Sequence, residues 1–173
     1  MNYYAGIGSR ETPKDVLIVF EKLAAFLANQ GFILRSGGAE GADKAFEIGC
    51  DSVNGKKEIY LPWKEFEGSK SNLIVNNPKA FEIAKQFHPY WYNLSQGAQK
   101  LQARNSHQVL GEDLNTPSKF IICWTKNGNG SGGTGQAIRI AKYWNIPIFD
   151  AGKYKDVDEM RRELKLFLND FIN

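Results

Sequence analysis

Residues 36–47 read SGGAEGADKAFE and follow the apolar run Phe32-Ile33-Leu34 after one residue, Arg35. The run predicts a buried β-strand, and the glycine-rich stretch predicts a turn at its end, opening a helix from about Glu40 to Cys50. The same order recurs on both sides. Upstream, NYYAGI at 2–7 is a short apolar run that ends in Gly6 and Gly8. A helix follows, with Thr12 as its predicted cap and Pro13 at its first position. Its apolar residues Val16, Val19, Phe20, Leu23, Phe26 and Leu27 recur at helical spacing. Downstream, KFIICWT at 119–125 is continuously apolar and β-branched. It leads through NGNGSGGTG into a helix carrying Ala137, Ile140, Ala141 and Trp144 on one face.

The remaining segments fit the same alternation. KEIYL at 57–61 predicts a third strand, stopped by Pro62, while 63–78 is polar and irregular. Helical patterns return near 79–87 and 94–110, and Pro147–Phe149 is the last predicted strand. A closing helix presents Val157, Met160, Leu164, Phe167, Leu168 and Phe171. Strands alternating with helices predict βαβ units, and so an α/β domain with a doubly wound, mostly parallel sheet flanked by helices. Such sheets bind ligands beyond the carboxyl ends of their strands, where the strand order reverses.

Length and composition agree with one domain over 1–173. The chain has 173 residues, 42% hydrophobic and 24% charged, which excludes disordered, collagen-like and coiled-coil classes. The net charge of +3 permits an anionic partner without demanding one. The two cysteines, Cys50 and Cys123, are far apart and outside any Cys-x-x-Cys pattern, which points away from a zinc or disulfide scaffold and towards a reducing, cytoplasmic setting. The sequence asks for no metal or cofactor and contains no apolar run long enough for a membrane span.

Ten of the 17 glycines fall in the three predicted strand-to-helix turns: Gly6 and Gly8; Gly37, Gly38 and Gly41; Gly128, Gly130, Gly132, Gly133 and Gly135. Backbone N–H groups at a helix start can hold a phosphate, and glycine lets the anion come close. None of the three is a phosphate-loop or dinucleotide fingerprint, because no Gly-Lys-Ser/Thr follows and GIGSRE carries Glu11 where a third glycine would stand. Polar residues beside the turns complete the candidate ligand site. Ser9 and Arg10 follow Gly8, and the Arg10 fork suits a phosphate, or else is a solvated loop residue. Ser36 and Asp43 flank the second turn; Asp43 reads either as an acceptor for a ribose hydroxyl or as partner to a neighbouring charge. Arg104 and Asn105 lie in the helix before the apolar strand and read either as ligand contacts or as surface helix positions. Ser131 and Thr134 belong to the third turn. Tyr90, Trp91 and Trp124 are aromatics that could stack on bases or sit in the core or an interface.

Together these segments resemble the DprA/Smf and LOG superfamily, the SLOG fold. The resemblance rests on GIGSR at 6–10; on SGGAEGADKAFE, with Glu47 where the family pattern has a final His; on Arg104-Asn105; and on SGGTGQA at 131–137. It implies a Rossmann-like sheet with a nucleotide or phosphate pocket at these anchors, in a free-standing domain of a kind common in phages and mobile elements. It implies three classes of function. LOG proteins hydrolyse the N-glycosidic bond of nucleoside monophosphates, DprA proteins bind single-stranded DNA, and other SLOG domains bind signals derived from ADP-ribose. The LOG motif ends in a catalytic Glu, and here Arg139 occupies that position. The sequence is therefore read first as a non-enzymatic binder of a nucleotide-type small molecule, sensing or sequestering it, with DprA-like single-stranded DNA binding as the alternative and hydrolysis third. A homodimer or higher homo-oligomer is expected, from the resemblance and from the aromatic stretch His88–Tyr92.

Overall fold

The computed structural model describes residues 1–172. Six strands, β1 (Asn2–Gly6), β2 (Phe32–Ser36), β3 (Lys57–Leu61), β4 (Leu73–Ile74), β5 (Ile121–Cys123) and β6 (Ile148–Asp150), form one sheet in the order β4-β3-β2-β1-β5-β6. Every pairing is parallel, and Ala5 of β1 stands opposite both Arg35 and Ile121. The helices are α1 (Lys14–Asn29), α2 (Ala42–Ser52), α3 (Pro78–Phe87), α4 (Gln96–Leu110), α5 (Gly132–Tyr143) and α6 (Val157–Leu168).

Strand alternation divides the core in two. Tyr4, Leu34, Phe120 and Ile122 face the layer of α1, α2 and α6. Their neighbours Ala5, Ile121 and Cys123 face α3, α4 and α5. Period-two side chains on strands covered by helices on both faces give continuously apolar runs, which is why KFIICWT reads so clearly as a strand. Burying these side chains contributes about 1.5–3 kcal/mol each for the larger ones. Both cysteines are buried, one in each core layer.

The chain builds β1 to β4 outward in one direction, then returns through α3 and α4 to place β5 on the free side of β1. The strand order therefore reverses between β1 and β5, and the loops that leave these strands diverge from a common crevice.

Two local expectations are corrected. Thr12 does not cap α1: the helix starts after Pro13 with no side-chain cap, and Thr12 Oγ1 donates instead to the Ser9 carbonyl at 2.6 Å. The stretch 63–78 contains β4, a two-residue strand whose partners lie entirely on β3.

Candidate functional site

Three loops leave the carboxyl ends of neighbouring strands at the point where strand order reverses: the first follows β1, the second β2 and the third β5. The first loop extends the β1–β5 ladder, with Ile7 N donating to Ile122 O at 3.1 Å and Ser9 N to Trp124 O at 3.2 Å. The second loop packs against it through Gly41. There φ is +91° and a Cβ would stand 2.7 Å from the Ser9 carbonyl, so the turn requires glycine on both counts.

Asp43, in the first turn of α2, ties the two loops together. Its Oδ1 accepts from Gly8 N at 3.2 Å and its Oδ2 from Ala39 N at 3.4 Å. Burial pushes its carboxyl up to about 6, and the Arg104 charge and the two amide hydrogen bonds limit the rise. Ser36 Oγ is wholly buried and donates to Gly6 O at 2.6 Å, locking β2 to β1.

Arg104 comes from α4 on the opposite layer and is buried under the loops. Its Nη1 donates to the carbonyls of Gly37 and, at 3.1 Å, Tyr60, while its Nε donates to Asn105 Oδ1 at 3.0 Å. The guanidinium lies 5.6 Å from the Phe66 ring centroid. Burial lowers its pKa, opposed by Asp43 and Glu67. Asn105 Nδ2 in turn donates to Gly133 O at 3.0 Å. Arg104 and Asn105 thus join the second glycine turn to the third.

The third turn is held from below. Thr125 pairs through its backbone and hydroxyl with the buried Asp150 carboxylate, and Thr125 Oγ1 accepts from Gly130 N at 3.0 Å. α5 then opens at Gly132 with Ser131 at its N-cap and no side-chain cap bond. Gly132, Gly133 and Thr134 carry the uncapped amides and the positive end of the helix dipole to the crevice.

The result is a cleft of about 420 Å³. Of the sequence-predicted site residues, Gly8, Ser9, Arg10, Asp43, Arg104, Asn105, Ser131, Gly132, Gly133 and Thr134 line it. Ser36, Gly37, Gly38, Gly41 and Gly135 lie outside the lining and shape the turns beneath it. Sequence reasoning missed Phe66, Leu101, Gln102, Gln108 and Lys126, which also line the cleft. Lys126 follows the β5 run directly and was readable from position. Phe66 lies in a polar stretch where Trp63, which packs edge-on against it, is its one apolar neighbour, too little to mark it.

Arg139, Glu40 and Glu47 have side chains outside the cleft lining. Arg139 is not on the cleft: its Nε donates to Phe87 O and its Nη2 to Gln136 Oε1, both at 2.8 Å, so it secures the end of α3 rather than a ligand. Glu47 is engaged with Lys57 at 2.8 Å, beside the start of β3. Glu40 is exposed. Trp91 is buried and Trp124 half-buried, whereas Tyr90 and Tyr92 are exposed. Among the described residues no helix is long and apolar enough to cross a membrane.

No protein-family model and no curated protein sequence matches the chain. A solved structure does: DNA processing protein A from Helicobacter pylori, described for its single-stranded DNA binding mode, superposes with a TM-score of 0.55 at 22% identity. The match covers 86% of this chain and 64% of that protein, so the chain spans about two-thirds of its length. With its all-parallel sheet, flanking helices and crevice between β1 and β5, the chain has a DprA-like, Rossmann-like α/β fold.

Proposed function

We propose that the cleft binds single-stranded DNA, with a backbone phosphate over the start of α5. The observation that carries this reading is the convergence of the uncapped Gly132–Gly133–Thr134 amides with Arg10 and Lys126 on one lined cleft. Helix amides and their dipole favour an anion, and flanking cations neutralise further phosphates. Ile7, Phe66 and Leu101 offer apolar surface for a sugar or base. The likeness to a protein with a single-stranded DNA binding mode supports this reading over a small-molecule sensor. Arg10, Arg104 and Lys126 line the cleft alongside Glu11 and Asp43, a slight positive bias in keeping with a net charge of only +3.

Fluorescence anisotropy with a labelled oligothymidylate about 15 nucleotides long, the upper end of single-fold site sizes, tests it. Log affinity should fall linearly with log salt, with a slope of about −0.7 for each phosphate neutralised. Lys126→Ala should weaken binding and flatten that slope by about the same increment. Absence of salt-dependent binding overturns the reading.

The cleft volume favours one second reading. About 420 Å³ falls in the range of small-molecule pockets, and a single nucleotide is the matching ligand. A melting temperature raised by nucleoside monophosphates or ADP-ribose derivatives, without oligonucleotide binding and without base release, would replace the DNA reading with this one.

Self-association belongs to the same proposal. Tyr90 and Tyr92 are 68% and 80% exposed, an aromatic pair suited to a two-fold contact. Light scattering that gives the monomer mass of 19.5 kDa at high micromolar concentration would remove it.

A further inference from the structure

The loop that follows β3 crosses the mouth of the cleft in an uncommon backbone conformation. Glu65 and Glu67 both adopt left-handed φ, at 61° and 48°, without being glycine. Conformations of this kind are costly and persist where the surroundings hold them. Phe66 between them is the anchor: it is buried, lines the cleft and lies beneath Arg104. With Phe66 held inward, the strained backbone presents Glu67 to the first and second loops.

Glu67 there makes two contacts. Its Oε1 pairs with Arg10 Nη2, and its Oε2 accepts from Glu40 N at 2.6 Å. The contact joins all three segments at the mouth, and Glu67 is the more enclosed partner, with 19% of its side chain exposed against 58% for Arg10. A guanidinium and a backbone N–H converging on two oxygens of one anion is the donor set that binds a phosphate. A carboxylate and a phosphodiester each present two charged acceptor oxygens, so the same donors serve either.

We propose that Arg10 and the Glu40 amide form a phosphate subsite that the Glu67 carboxylate occupies in the free protein, and that a ligand phosphate enters it by displacing Glu67. This deepens the single-stranded DNA reading and rests on it: one phosphate lies over the start of α5, and another takes the place of Glu67. Glu67 then sets affinity by competition. The protein holds back from weak anions and yields to a strand that engages both subsites together. Phe66 stays in place, so the exchange needs only the Glu67 side chain to swing out.

The test is a double-mutant cycle read by oligothymidylate anisotropy at low salt. Glu67→Gln keeps an acceptor for Glu40 N but removes the charge. It should tighten binding about fivefold, the upper end for a partly exposed ion pair. The gain should largely vanish in the Arg10→Ala background, where only the Glu40 amide remains to be competed for. A gain of equal size in both backgrounds would mean general repulsion, and unchanged or weaker binding would mean a structural role; either overturns the proposal. If Glu67→Gln does not fold, Glu67→Gly relieves the left-handed backbone and carries the same test. Thermal shift with inorganic pyrophosphate separates this proposal from the one it rests on. A larger shift in Glu67→Gln than in the native chain, absent with Arg10→Ala, upholds the subsite even where the oligonucleotide does not bind. No difference among the three proteins, with the oligonucleotide bound normally, removes the subsite and leaves DNA binding standing.

Discussion

Asn105 donates its side-chain amide to the Gly133 carbonyl at 3.0 Å and through this bond sets where α5 begins relative to α4. The same side chain accepts from Arg104, whose other donors hold Gly37 and Tyr60. Adjacent residues on one helix thereby bind the ends of β2 and β3 to the turn after β5. Arg104→Met should cost about 3–5 kcal/mol in denaturant unfolding, because it leaves Asp43 without its compensating charge and two buried carbonyls without a donor. Asn105→Ala should cost about 1 kcal/mol and weaken oligonucleotide binding, since the Gly133 turn is then free to shift.

Asp43 supplies a pH signature. Its folded pKa is raised to about 6, mainly by burial. A raised carboxyl favours the fold while protonated; that contribution is fully present below the ordinary carboxylate range, is lost as pH rises towards 6, and is constant above it. Asp43→Asn removes this loss. It turns an amide NH₂ towards a backbone donor, a cost at every pH. The stability of Asp43→Asn relative to the native chain should therefore improve between pH 4 and 6.5 by about 2 kcal/mol, then level off. Melting curves in a buffer series check this, and a flat difference would contradict the burial of the charge.

Two glycines of the third turn should respond oppositely. A Cβ at Gly135 would run into the Gly130 carbonyl, so Gly135→Ala should lower stability by more than 1 kcal/mol, about the scale of a small overpacking. A Cβ at Gly133 meets nothing within 4 Å and stands in the open cleft. Gly133→Ala should hold or raise the melting temperature, by helix propensity of about 0.5–1 kcal/mol, while weakening the oligonucleotide. Paired thermal and anisotropy measurements separate the two effects.

Arg139 yields the converse. Its bonds to Phe87 and Gln136 join α5 to the end of α3, away from the cleft. Arg139→Ala should lower stability by about 1–2 kcal/mol and leave oligonucleotide affinity and its salt slope unchanged. A marked loss of affinity at unchanged stability would bring this residue back to the ligand.

The glycine turns and their strands were legible because a parallel sheet covered on both faces writes itself as short apolar runs, and three of these runs lead into glycine-rich turns. The residues between the turns were less so. Arg104 sits among polar neighbours on α4 and so resembles a surface position; its burial follows from loops folding over it, which helical periodicity does not record. β4 is two residues whose ladder is supplied by β3, and Phe66 has only Trp63 as an apolar companion in a polar stretch. The Glu67 contact depends on left-handed backbone at non-glycine residues, for which the sequence carries no local sign.

The lengths of the outermost strands have a consequence for crowded solutions. β4 contributes two residues to one border of the sheet and β6 three to the other. Borders this short offer an incoming strand few ladder hydrogen bonds, the usual way in which a sheet protects itself from runaway stacking. Growth of the sheet from one molecule into the next is therefore disfavoured on both sides. Any stable assembly of copies is left to helix surfaces and loops, where geometry can close the contact and stop it.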